Sequence, residues 1–186
     1  MSKQTISDDN LIVAEKHAHL AEGYEDIRLP VVVLLDNVRS MYNVGAFFRA
    51  ADGVNLEKLY LCGITAHPPK NAITKTALGA EKTVAWEHDW DAMKVATELR
   101  RSGLHIAAIE TGAKTIDLFQ WEPKFPLCVV FGNEVEGLKP ELLDLADMHV
   151  RIPMLGQKRS LNVATAGGIV LYELLRKYRL LRNFKK

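Results

Sequence analysis

The sequence is poor in the residues that announce the commonest metal and cofactor chemistries. Only two cysteines occur in 186 residues. Cys62 and Cys128 are far apart and form no Cys-x-x-Cys pair, so neither a disulfide framework nor a zinc site is indicated. The six histidines are scattered without metal-ligand spacing. His17 and His19 stand close together, but in a polar N-terminal stretch where a solvated segment is the ordinary reading. The chain has no Gly-x-Gly-x-x-Gly and no Gly-Lys-Ser/Thr, which removes a dinucleotide turn and a P-loop, and it has no Gly-x-Ser-x-Gly elbow. No run reaches the roughly 18 apolar residues of a membrane helix. The start, Met-Ser-Lys-Gln-Thr-Ile-Ser-Asp-Asp, lacks a basic segment followed by an apolar one. Net charge is only +1, so any nucleic-acid surface must come from local clustering. The expectation is a cytoplasmic protein that uses no metal.

What is present is an ordinary globular composition, 48% hydrophobic and 25% charged, in a length that suits one domain with a substantial core. Residues 1–29 read as a helical extension, with Asp8, Asp9 or Asn10 capping a helix to about Glu22. Residues 30–186 read as the folded domain. Pro30 introduces Val31–Leu35, an apolar β-branched run typical of a strand buried on both faces. Asp36–Tyr42 is then a loop, Asn43–Asp52 a helix, Leu59–Cys62 a strand and Gly63–Ile73 a loop. Thr83–Trp86 reads as a short strand, Asp89–Ser102 as a helix, His105–Glu110 and Leu127–Phe131 as strands, Lys139–Ala146 as a helix and Met148–Ile152 as the last strand. A closing helix runs to about Asn183. Alternation of strands and helices predicts an α/β fold, a mostly parallel sheet with helices on both faces. In such sheets ligands lie at the carboxyl ends of strands. Three loops there carry the polar residues of interest: Asp36–Asn43, Gly132–Gly137 and Pro153–Asn162.

The last of these opens an unusual helix. Ser160 or Asn162 suits the N-cap position, and Val163–Leu171 then presents almost no polar face until Glu173. Gly167 and Gly168 each disfavour a helix by about 1 kcal/mol against alanine, so something must approach that backbone closely. Tight packing against another element and a small-ligand site both satisfy the requirement. The loops offer Asn, Ser, Arg, one or two carboxylates and backbone. That set suits a reaction in which a reactive donor does the hard chemistry and the protein positions the partners, as in methyl transfer from a sulfonium to a hydroxyl. Paired-carboxylate hydrolysis by Glu134 and Glu136 is the alternative, although neighbouring loop carboxylates more often form a solvated turn.

Asn43-x-Gly45-x-x-x-Arg49, Phe131-Gly132-Asn133-Glu134-x-Glu136-Gly137-Leu138 and Ile152-Pro153-Met154-x-Gly156-x-x-x-Ser160-Leu161-Asn162-Val163 together resemble the three motifs of the SpoU (TrmH-type) RNA ribose methyltransferases of the SPOUT superfamily. The resemblance runs from about Val31 to Arg176. It implies a C-terminal part tied in a deep trefoil knot, S-adenosylmethionine as cofactor, an obligate homodimer, and methylation of a ribose 2′-hydroxyl in tRNA or rRNA. Short extensions at both ends lean towards tRNA. By position, Gly132, Ile152 and Leu161 would touch the cofactor through backbone groups, with Thr111, Asn133, Met154 and Ser160 lining the pocket; Ile152 and Leu161 also suit plain core. Arg49 would hold the substrate phosphate and stabilise the alkoxide, since a guanidinium stays protonated. Asn43, Glu134, Ser160 and Asn162 complete the implied catalytic set, and Lys158 and Arg159 are candidates for phosphate contact. The alternatives are a non-catalytic RNA-binding or ribosome-assembly factor on the same fold, and a SPOUT base methyltransferase. Arg176, Lys177, Arg179, Arg182, Lys185 and Lys186 form a basic C-terminal cluster that suits RNA phosphates. An amphipathic end with Leu174, Leu175, Leu180 and Leu181 turned inward suits it equally.

Overall fold

A computed structural model describes residues 27–112 and 114–183. The helix expected over Asp8–Glu22, His17, His19, Lys185 and Lys186 lie outside them. The strands are β1 (Leu29–Asp36), β2 (Leu56–Cys62), β3 (Trp86–Asp89), β4 (His105–Ile109), β5 (Ile116–Asp117), β6 (Leu127–Phe131) and β7 (Met148–Arg151). The α-helices are α1 (Met41–Gly53), α2 (Asn71–Ala77), α3 (Ala92–Arg101), α4 (Pro140–Leu145) and α5 (Val163–Asn183). The strands form one sheet in the order β3-β2-β1-β6-β4-β7-β5, and every pairing is parallel.

The all-apolar strands occupy the centre because both of their faces are covered. β1 lies between β2 and β6 and sends Val31, Val33 and Leu35 into a core with α1, α2 and α5. Its alternate residues, Val32 and Leu34, enter a second core with α3 and α4. This period-two sorting follows from strand geometry. From β1 the chain first moves outward through β2 and β3, then returns to build β4 and β7 on the other side. The strand order therefore reverses beside β1, and the carboxyl ends of β6, β4 and β7 open together at one rim.

Local boundaries differ from the sequence reading for identifiable reasons. Ser40 accepts a hydrogen bond from the Asn43 backbone N–H, so α1 starts at Met41 rather than Asn43. Asp91 caps α3 through the Lys94 N–H (3.0 Å), which trims the helix expected from Asp89. The third strand is Trp86–Asp89, not Thr83–Trp86, because Thr83 and Val84 close a 3₁₀ turn onto Ala80. Helix α2 falls partly inside the expected Gly63–Ile73 loop; seven residues with two threonines carry too little periodicity to reveal it. The two-residue edge strand β5 is likewise too short to show in the sequence.

Helix α5 answers the question raised by its glycines differently at each one. A Cβ at Gly167 would sit 2.2 Å from Cε1 of Phe47, so close α1–α5 packing requires glycine there. Phe47 in turn meets Phe131 edge-on, with ring centroids 5.1 Å apart. Gly168 has nothing within 4 Å. Towards the end of α5, Leu174 is buried and Leu175 is partly buried, but Leu180 and Leu181 are exposed rather than turned inward.

Candidate active site

The loop after β6 is built to expose backbone. Asn133 and Gly137 exchange backbone hydrogen bonds of 3.1 and 3.0 Å. The Asn133 Oδ1 accepts from the N–H groups of Val135 (2.8 Å) and Glu136 (3.1 Å), closing an Asx turn. Gly137 takes φ +70°, a region open to glycine at little cost. A Cβ at Gly132 would lie 2.3 Å from the carbonyl carbon of Gly137, so no side chain fits there while the turn stays closed.

Two further loops are fastened to this turn. The Asn133 Nδ2 donates to the carbonyl of Asn37 (2.9 Å). Asn37 itself sits at φ +57°, donates through Nδ2 to Oδ1 of Asp36 (2.8 Å), and accepts from the Ile64 N–H (3.1 Å). Asp36 is only 3% exposed. Burial raises its carboxyl above the usual range, against the pull of Lys139. Glu134 accepts from the backbone N–H groups of Arg39 (3.1 Å) and Ser40 (3.2 Å) and from Nδ2 of Asn43 (2.9 Å). Its carboxylate thus lies at the amino end of α1, where the helix dipole favours an anion. Desolvation opposes ionisation of Glu134, but these donors outweigh it and hold the carboxyl below its usual value. Oδ1 of Asn43 then accepts from Nδ2 of Asn162 (3.1 Å). Asn162, not Ser160, is the N-cap of α5: its Oδ1 accepts from the N–H groups of Ala164 (3.0 Å) and Thr165 (3.2 Å). A chain of side-chain bonds from Glu134 through Asn43 to Asn162 therefore ties the starts of two helices to the β6 turn.

The β6 turn, the loop that leads into α5 and the end of β4 surround a cleft of about 340 Å³. Thr111, Gly132, Asn133, Glu134, Ile152, Met154, Ser160, Leu161 and Asn162 all line it, and Arg159 stands on its rim while Lys158 does not. Ile109, Phe131, Ile152 and Val163 give it an apolar wall. Asn43 and Arg49 are the exceptions: Asn43 is joined to the lining only by hydrogen bonds to Glu134 and Asn162, and Arg49 stands apart altogether. It is exposed on α1, and six residues beyond Asn43 turn it about 240° around the helix axis. There it lines a separate hollow with Lys75, Thr76, Gly53 and Tyr172.

A family description for SpoU rRNA methylases matches residues 30–172. The chain belongs to the SpoU rRNA methylase family. It is 31% identical over 167 residues to a tRNA (guanosine(18)-2′-O)-methyltransferase of Aquifex aeolicus, covering 89% of this chain and 78% of that protein. The crystal structure of the A. aeolicus TrmH/SpoU tRNA modifying enzyme superposes with a TM-score of 0.76 at 28% identity, over 86% of this chain and 80% of that one. An AdoMet-bound rRNA methyltransferase from Sinorhizobium meliloti gives 0.74 at 29% identity, over 81% of this chain but only 59% of that protein.

For a SpoU chain, the sequence reading passed over one carboxylate on the cleft. Glu110 directly follows β4, and its Oε1 accepts from the backbone N–H (2.7 Å) and the hydroxyl (3.2 Å) of Thr111. A Cβ at Gly137 would lie 2.9 Å from its Oε2. Position at the carboxyl end of a recognised strand was the available signal. The basic C-terminal cluster is more constrained than its composition implies. Arg176 pairs with Glu173 (2.7 Å), and Lys177 pairs with Glu173 (3.4 Å) and donates to the carbonyls of Phe119 and Trp121.

Proposed function

We propose that the cleft holds S-adenosylmethionine, and that Arg49 grips a substrate phosphate beside the ribose hydroxyl to be methylated. The protein is an S-adenosylmethionine-dependent RNA 2′-O-methyltransferase. The residues present suit the cofactor. The cleft is within the roughly 300–1,000 Å³ of ordinary small-molecule sites, Gly132 lines it without a side chain, and Glu110 sets a carboxylate on the wall where a cationic donor would lie. When bound, the cofactor supplies an electrophilic methyl group on a sulfonium.

The protein's part is placement. The Glu134–Asn43–Asn162 chain holds the three loops in one arrangement before any ligand arrives, so little of the binding energy is needed to order them. Ser160 and Asn162 stand where they can orient a hydroxyl, and Asn43 and Glu134 act behind them through the loops. Arg49 cannot serve as a base because guanidinium does not lose its proton in proteins. A two-pronged phosphate contact, with charge stabilisation of the developing alkoxide, is the role its chemistry permits. The hydroxyl proton passes to solvent or to the phosphate the arginine holds.

The separation of Arg49 from the cleft of its own chain supports a homodimer in which each arginine faces the partner's cleft. Met41 and Tyr42 at the start of α1, Leu161 just before α5 and Tyr172 midway along it are exposed and would be covered by the dimer contact. The C-terminal part is read as a deep trefoil knot, supported by the superposition on SpoU enzymes. Residues 1–29 are read as an extension and 30–186 as the methyltransferase domain. A tRNA substrate is favoured because the chain spans more of the tRNA-modifying relative than of the rRNA one. Among the described residues no helix is long and apolar enough to cross a membrane. The cytoplasm is read as the site of action because the relatives are named for modifying tRNA and rRNA. No metal enters this scheme.

The single observation that carries the reading is that residues from two distant motifs line one cleft, while Asn43 of the third motif is hydrogen-bonded to both through Glu134 and Asn162. Purified protein, S-adenosylmethionine and unmodified tRNA, followed by mass spectrometry of the nucleosides, should yield a 2′-O-methylated nucleoside. A methyl group found on a base, or no transfer to tRNA or rRNA at all, would overturn it.

A further inference from the structure

A ladder of rings leads from the core to solvent at the far end of the same rim. Phe48 is fully buried and meets Trp86 edge-on, with centroids 6.5 Å apart. Trp86 stacks on His67 (5.8 Å, planes 22° apart), His67 lies 4.7 Å from His88, and His88 meets Trp90 edge-on at 5.0 Å. Trp86, His88 and Trp90 alternate along β3 and its continuation, so all three lie on one side of the chain. The two histidines are fixed by backbone carbonyls: Nδ1 of His67 lies 2.9 Å from the Pro68 oxygen and Nε2 of His88 lies 3.2 Å from the Gly63 oxygen. Trp90 is nevertheless 76% exposed. A tryptophan this exposed to water, with one perpendicular ring bracing it, is a stacking surface.

We propose that Trp90, braced by His88 and His67, is a platform on which an unpaired nucleotide flanking the methylated residue stacks. This rests on the RNA-methyltransferase reading above and adds a contact outside the cleft. All strands are parallel, so the platform at the end of β3 and the cleft at the end of β6 share one rim. They stand three strand spacings apart, roughly 14 Å. Exposed Arg39 and Ile64 occupy the loops between them, and exposed Lys70 lies just past Pro68 and Pro69. The acidic side chains nearby are engaged: Asp89 pairs with Lys94 (2.7 Å), Glu87 with Lys58 (2.6 Å), and Asp91 caps α3. Little free negative charge is left to repel a phosphate backbone. A duplex hides its base faces, whereas every unpaired base offers one. The preference is therefore for single-stranded or loop RNA, with little regard to sequence.

The test uses a twelve-residue oligoadenylate, alone and paired with oligouridylate, against the full-length protein and its Trp90→Ala and Trp90→Phe variants. The single strand should bind the parent more tightly than the duplex and quench its tryptophan emission. Trp90→Ala should weaken single-strand binding about tenfold, while Trp90→Phe retains most of it and S-adenosylhomocysteine binding stays unchanged in both. Equal single-strand affinity in the parent and Trp90→Ala, or emission indifferent to the oligonucleotide, would overturn the platform. So would a Trp90→Ala variant whose only change is its oligomeric state in sedimentation, because the ring would then serve a protein contact. Ribose methylation of RNA by the parent is measured alongside. Its absence defeats the enzymatic reading, whereas its presence with an unaffected Trp90→Ala defeats the platform alone.

Discussion

The cleft and the Arg49 hollow teach different lessons about how one chain builds a site. The cleft is finished within the chain: its walls come from three strand ends, its loops are cross-tied, and its polar side chains are committed to one another. The hollow is open and lightly organised, with Arg49 and Lys75 projecting from two helices beside Tyr172. Preorganisation belongs where a ligand must be held in one arrangement. An exposed arginine belongs where the partner arrives with its own charge and geometry. On this view the cleft determines affinity for the methyl donor and the hollow determines the rate of transfer.

Substitutions on the two sides should therefore fail in opposite ways. Arg49→Ala should lower kcat by roughly a thousandfold, in the range seen when a charge-stabilising donor is removed, with the dissociation constant for S-adenosylhomocysteine within about twofold of the parent by calorimetry; near-normal turnover would break the comparison. Gly132→Val should do the reverse, weakening cofactor binding by at least about a hundredfold because the new side chain meets the Gly137 backbone, with circular dichroism reporting whether the fold is retained. Asn162→Ala should sit between them. Loss of an N-cap costs about 1 kcal/mol, visible as a lowered Tm, and freeing Asn43 should reduce cofactor affinity several-fold.

The smallest effect expected is in the pH dependence of stability. Glu134 has its carboxyl held below the usual value in the folded state. Its contribution is therefore fully present above the ordinary glutamate value and is lost as pH falls through the lowered one. Thermal melts taken from neutral pH into the acid range should decline less steeply for Glu134→Gln than for the parent. Identical slopes would remove Glu134 from the network that distinguishes cleft from hollow.

Much of this was legible in the residues, and the rest was hidden for physical reasons. Val31–Leu35 and Leu127–Phe131 identify themselves as central strands because only a doubly covered strand is apolar without alternation. The motif loops are legible because their turns demand particular residues: Gly132 for want of space, Asn133 for its Asx turn, Asn162 for a cap. The sequence could not show that Glu134 would spend its carboxylate on the amino end of α1, since its partners lie more than ninety residues away. Nor could it distinguish Gly167 from Gly168; only the position of Phe47 does that. The ring ladder escaped notice because His67 comes from a different loop than Trp86, His88 and Trp90, and no local pattern joins them.

The position of β6 also has a consequence for how the chain comes to be folded. Strand β1 pairs early with its neighbour β2, but its other edge waits for Leu127–Phe131, roughly a hundred residues later in synthesis. During that interval one edge of a row of valines and leucines has unpaired backbone, and the part of its cover that comes from α4 and α5 is still missing. Contacts of such separation form slowly and leave sticky edges in the meantime. The nascent protein should depend on chaperones that shield hydrophobic segments at the ribosome, and its yield should fall when translation outpaces their supply.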